Sequence, residues 1–188
     1  MSKFIMLIRH AEKPTSDAAG VNVTGVLDAQ SLSVPGWRRA GALVRYFGSA
    51  GSKGDGGPIR CPRHIVAARP TGRHPSTRPA DTVRPLAEFL GLPVDERWSD
   101  QDAPEDVAAA LRALDGPVLV CWRHHGLPRL ADAILQDDGI PSVWPAERFD
   151  VTWSFFCRRH TWTFAETPQL LLPGDLGCGI DPVDPIDA

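Results

Sequence analysis

Cysteine is scarce in this 188-residue chain, and Cys61, Cys121, Cys157 and Cys178 form no Cys-x-x-Cys pair. That spacing excludes a cysteine zinc cluster and a thioredoxin-type redox pair, and it suits reduced thiols in a cytoplasmic setting. A long apolar run is also missing. The N-terminal run Phe4 to Ile8 is too short for the core of a signal peptide or for a membrane span. Nor does one sign of charge dominate: Lys and Arg number 20 against 23 Asp and Glu, a net charge of −3. General nucleic-acid or membrane-surface binding is therefore not expected.

Several catalytic signatures are absent too. The glycine-rich stretch 48–57 lacks the Gly-Lys-Ser/Thr order that would aim a lysine at phosphates from a helix start, so it reads as a flexible connector. There is no G-x-S-x-G elbow and no H-E-x-x-H metal motif. A cysteine nucleophile paired with an arginine six residues on is excluded for Cys61, Cys121 and Cys157, because Ala67, Leu127 and Thr163 occupy those places.

What remains is an ordinary globular composition, 43% hydrophobic and 23% charged. The length suits one domain, over 1–170, with an irregular Gly/Pro/Asp-rich tail over 171–188. Phe4 to Ile8, His64 to Ala68 and Val118 to Trp122 read as buried strands. Pro35 to Phe47, Arg78 to Leu90, Asp102 to Leu114 and Leu127 to Leu135 read as helices, the second capped by Gly91. The polar stretch between His10 and Ser33 has no sustained period and reads as a long functional loop. Phe149 to Phe156 and Thr161 to Ala165 form an expected antiparallel strand pair. Alternation of strands and helices predicts an α/β fold of three layers, α/β/α, with a central mostly parallel sheet and helices on both faces.

In such sheets ligands bind at the carboxyl ends of the strands. Arg9-His10 follows the first strand, Arg69 and Arg78 follow the second, and Arg123-His124-His125 follows the third. Three buried strands thus deliver arginine or histidine to one rim. Six arginines and a single acid, Asp81, lie between Arg60 and Arg84, which points to an anionic ligand. Arginine's planar fork matches phosphate oxygens, and histidine can serve as nucleophile or charge stabiliser.

The local strings Leu7-Ile8-Arg9-His10-Ala11-Glu12-Lys13, Ser76-Thr77-Arg78-Pro79-Ala80-Asp81-Thr82 and Val118-Leu119-Val120-Cys121-Trp122-Arg123-His124 resemble, in order, three motifs of the histidine phosphatase superfamily, the phosphoglycerate-mutase-like proteins. The resemblance spans roughly residues 3–166. It implies phosphoryl transfer through a phosphohistidine on His10, with Arg9, Arg78 and His124 holding the phosphoryl oxygens. It implies neither metal nor cofactor, since the arginines supply the positive charge. His124 fits the family register better than His125, which would line the pocket. Asp100 is the expected general acid, with Glu96 and Asp102 as the other carboxylates in that region. Lys13 and Arg69 are candidate substrate contacts.

Dedicated mutases of this kind are usually longer, so hydrolysis is the expected outcome. The expected substrate is a small anionic phosphoester, with a phosphohistidine protein as the alternative, and neither nucleic acid nor membrane is an expected partner. A second class of function is a scaffold or phosphate-binding protein that keeps the pocket without turnover. A third, nucleic-acid binding through Arg60 to Arg84, lacks the interleaved aromatics that base stacking needs.

Overall fold

The computed structural model describes residues 3–50, 57–136 and 139–180. The expected connector at 48–57 lies outside them over 51–56, and so does the tail over 181–188. The elements run β1 (Lys3–Arg9), β2 (Gly20–Val21), β3 (Leu32–Ser33), α1 (Val34–Gly48), β4 (His64–Ala67), α2 (Arg78–Leu90), β5 (Val94–Asp95), α3 (Pro104–Ala113), β6 (Pro117–Trp122), α4 (Leu127–Leu135), β7 (Val151–Arg158) and β8 (Thr161–Pro168). Six strands form one sheet in the order β5-β4-β6-β1-β7-β8. The first four in that order are parallel, while β7 and β8 pair antiparallel. The α/β architecture with helices on both faces is as the sequence predicts.

Alternation along the central strands divides the core into two layers, because successive side chains leave a strand on opposite faces. Ile5, Leu7, Val118, Val120 and Trp122 face α3 and α4 through Val107, Leu111, Leu130 and Ile134. Phe4, Met6, Ile8, Leu119 and Cys121 face α1 and α2 through Leu43, Phe47, Val83 and Leu86. Strands buried on both sides need continuous apolar runs, which is why β1 and β6 are legible in the sequence. α2 ends at Gly91, whose φ of 65° is the left-handed conformation that glycine adopts without strain.

Three details depart from the sequence reading. The stretch between His10 and Ser33 contains a small antiparallel pair, β2 with β3, closed by a turn in which the Asn22 side-chain oxygen accepts from the backbone N–H groups of Thr24 and Val26. The final strand pair starts at Val151, so Phe149 stands before it and is free to face the site. Residues 171–180 carry no regular element, yet they are anchored. Asp175 pairs with Arg39 at 2.7 Å and accepts from the backbone of Leu171 and Leu172, and Ile180 is buried in the core.

Candidate active site

Arg9 is the last residue of β1 and His10 the first beyond it. The His10 backbone N–H donates to the carbonyl of Trp122, the last residue of β6, so two adjacent parallel strands end together under the site. The His10 side chain is almost fully buried. Its Nδ1 lies 2.8 Å from the carbonyl oxygen of Ala11. A carbonyl can only accept, so Nδ1 carries the hydrogen and Nε2 of the neutral ring carries the lone pair. Burial first, then the charges of Arg9, Arg78 and Arg123, push the His10 pKa well below its ordinary value. The ring is therefore neutral, and it stands within the field of three arginine charges.

Arg9 is 1% exposed and its Cζ lies 3.8 Å from the centroid of the Phe149 ring. Its Nη1 donates to the carbonyls of Pro145, Ala146 and Arg148, which clamps the loop ahead of β7. Nε and Nη2 of Arg9 and Nε of Arg78 are buried without a hydrogen-bond partner among the described residues. Desolvation lowers the Arg9 pKa to about 10, so the guanidinium stays charged at neutral pH.

Arg78 opens α2, and Thr82 stands one turn later. The Thr82 hydroxyl accepts from the Ala11 N–H at 2.8 Å and donates to the Arg78 carbonyl at 2.7 Å. The i, i+4 spacing of Arg and Thr thus ties the start of α2 to the residue after His10. On the other flank Gly36 in α1 packs so closely that a Cβ there would stand 2.5 Å from the Glu12 carbonyl oxygen. Glu12 itself pairs with buried Arg39 at 2.8 Å, a structural role just past His10.

His124 follows β6 in a short helical turn, residues 124–126. Burial, with Arg9, His125 and Lys13, lowers its pKa to about 4. The charge of Arg9 thus acts on both His10 and His124, and exposed Lys13 stands near enough to add to it. Arg9 and Arg78 stand near enough to His10, and Arg9 and Lys13 near enough to His124, for their charges to act on the two rings.

The remaining expected residues are placed differently. Arg69 donates through Nε to the Arg97 carbonyl at 3.2 Å and lies 3.6 Å from Asp102, contacts that tie it to the loop before α3. Asp100, the expected acid, is a buried carboxylate: its side chain is 2% exposed, and Oδ2 accepts from His125 Nε2 at 2.8 Å. Although burial opposes it, the hydrogen bond from His125 and the Arg123 charge lower its pKa. A carboxyl held ionised in this way is a poor proton donor. His125 accordingly leans on Asp100 while its ring stands 5.3 Å from that of His124.

Two residues were given no site role from the sequence. Arg123 is buried and donates to the carbonyls of Arg69, His74 and Ser76, fixing the segment that leads into Arg78. Its position between the end of β6 and His124 was the available signal. His74 reaches Asp100 from the loop after β4, and no local pattern marks it.

Comparison of the whole chain with solved structures gives matches over most of its length. The protein histidine phosphatase SixA complexed with tungstate has a TM-score of 0.55 at 15% identity, covering 88% of this chain and 97% of that one. The chain has the histidine phosphatase fold. Mycobacterial glucosyl-3-phosphoglycerate phosphatase complexed with VO3 matches with TM-score 0.55 and 17% identity, over 87% of this chain and 97% of that one. The ecdysone phosphate phosphatase of Bombyx mori, in complex with tungstate, covers 97% of this chain and 98% of its own at TM-score 0.51 and 13% identity. No protein-family model and no curated protein matches the sequence. Within this histidine phosphatase fold the site lies at the carboxyl ends of β1 and β6, where an open α/β sheet places its ligands.

Proposed function

We propose that this chain is a phosphomonoester hydrolase working through a phosphohistidine on His10. The observation that carries the reading is the pairing of a neutral His10, whose lone pair lies on Nε2, with buried arginine N–H groups that no atom of the described residues satisfies. Such donors suit the equatorial oxygens of a phosphoryl group, where charge accumulates during transfer. Arg9, Arg78 and His124 hold those oxygens, and Lys13 adds charge at the mouth. His10 Nε2 attacks phosphorus in line, the P–N bond forms as the ester P–O bond breaks, and the leaving oxygen takes up a proton. Water then attacks the phosphohistidine, releasing inorganic phosphate and restoring His10. No step is assigned to a metal or cofactor.

The arginine-rich rim and the phosphatases of similar fold support a small anionic phosphomonoester as substrate, and the free thiols of Cys61, Cys121, Cys157 and Cys178 support a reducing, cytoplasmic setting. Among the described residues no helix is long and apolar enough to cross a membrane. The likeness to SixA, a protein histidine phosphatase, supports a phosphohistidine protein as the alternative substrate. A second reading, phosphate binding without turnover, draws on Asp100 being committed as a hydrogen-bond acceptor, which leaves no carboxyl acid assigned.

The deciding experiment is hydrolysis of an aryl phosphate from about pH 5 to 8 with chelator present, comparing wild type with His10→Ala. Chelator-resistant turnover that disappears in His10→Ala supports the hydrolase. Tight vanadate binding with no turnover of any phosphoester supports the binding protein.

A further inference from the structure

Beside the phosphate pocket, His74, Asp100 and His125 converge from three separate segments: the loop after β4, the turn before α3 and the turn after β6. We propose that these three side chains bind a divalent first-row transition ion of the zinc and cobalt class. Their ligand atoms all lie within 4.8 Å of one another. Asp100 Oδ2 is 2.7 Å from His74 Nδ1 and 2.8 Å from His125 Nε2. Two imidazole nitrogens with one carboxylate match such ions, whereas magnesium and calcium require mostly oxygen donors.

A second observation points the same way. His74 Nδ1, although close to Asp100, makes no hydrogen bond, and neither does Asp100 Oδ1; both are buried. Buried polar atoms left unpaired are rare in folded proteins and need a partner to account for them. An ion held between these side chains takes the Nδ1 lone pair as a ligand and gives Oδ1 the option of completing a chelating carboxylate. Arg123 stands 3.6 Å from Oδ1 and donates to the His74 carbonyl, so one buried guanidinium orients two of the three ligands.

The spacing needs a small adjustment. Ligand atoms around a tetrahedral ion stand roughly 3.3 Å apart at metal–nitrogen distances of about 2.0 Å. The side chains of His74 and His125 are 35% and 48% exposed, free to open by that amount and leaving the other coordination positions to solvent. Binding requires the His125 proton now shared with Asp100 to sit on Nδ1 instead, which leaves the Nε2 lone pair for the ion.

The test titrates tag-free, chelator-treated protein with Co2+, read by visible absorption, with Zn2+ as competitor. One ion per chain is expected, with affinity at least tenfold weaker in His74→Ala and in Asp100→Asn. The double variant His64→Gln/His160→Gln should match wild type. His10→Ala should also bind normally, which separates this site from the phosphatase reading. His74→Ala removes a partly exposed side chain and should keep the native circular dichroism, so loss of binding there is not a folding effect. No saturable Co2+ uptake by wild type, or uptake unchanged in His74→Ala, overturns the proposal.

Discussion

The Thr82 hydroxyl lies 2.8 Å from the backbone nitrogen of Ala11, the residue next to His10. Because the same hydroxyl bonds the Arg78 carbonyl, one side chain sets the spacing between His10 and the arginine proposed to face it. Replacing it tests that coupling. Thr82→Val leaves the buried Ala11 N–H unpaired, at a cost of about 1–3 kcal/mol. At roughly 2–4 °C per kcal/mol for a chain of this size, thermal unfolding should move down by several degrees. Aryl phosphate turnover should fall more than the stability loss explains; unchanged kcat at unchanged Tm would dismiss the coupling.

His10→Ala should lower kcat by roughly a thousandfold or more, as loss of a nucleophile does. Rapid quench of wild type with labelled substrate should trap an acid-labile, base-stable phosphoprotein, and the variant should show none.

Arg78→Ala should weaken inhibition by vanadate by roughly a hundredfold, the scale for loss of one donor to a charge-rich oxyanion. Arg69→Ala should leave that inhibition within about threefold of wild type, since its guanidinium serves Arg97 and Asp102. Equal effects would return Arg69 to the pocket.

The pH profile follows from the two histidines. Both have lowered folded-state pKa values, His124 at about 4, so both stay neutral at pH 6. kcat/KM should therefore hold from neutral pH down past 6.5, where an ordinary histidine would already be protonated. Stability behaves otherwise. The unfolded chain takes up protons near pH 6.5 while the folded chain does not, so the stability present above that pH is lost progressively as pH falls toward about 4. Urea midpoints measured across this window check the sign.

Arg39 is buried between Glu12 and Asp175, which it reaches at 2.8 and 2.7 Å. Arg39→Leu strands two carboxylates, and removing one partner of a buried pair costs about 3–5 kcal/mol. Calorimetry should show a large drop in Tm, and proteolysis should release the segment around Asp175 first.

Much of this was legible in the chain itself. β1 and β6 are buried on both faces, so their apolar runs are continuous, and α2 carries its own stop at Gly91. Arg9, His10, Arg78 and His124 sit immediately beyond or at the start of those elements, so placing the elements placed the residues. The contacts of Arg69 and Asp100 were not legible because both sit on loops, where chain position does not fix side-chain direction. Asp100 lies in an acidic stretch that resembles a solvated helix start, yet its side chain is almost fully buried.

Local pattern therefore determined the sheet, the helices and the rim to which arginine and histidine are delivered, because burial periodicity and strand ends are properties of neighbouring residues. The tertiary structure alone decided which carboxylate is held ionised, which N–H groups of Arg9 and Arg78 lack a partner among the described residues, and that His74, Asp100 and His125 meet. Those outcomes depend on desolvation and on contacts between segments about 25 residues apart or more, and no local period records either.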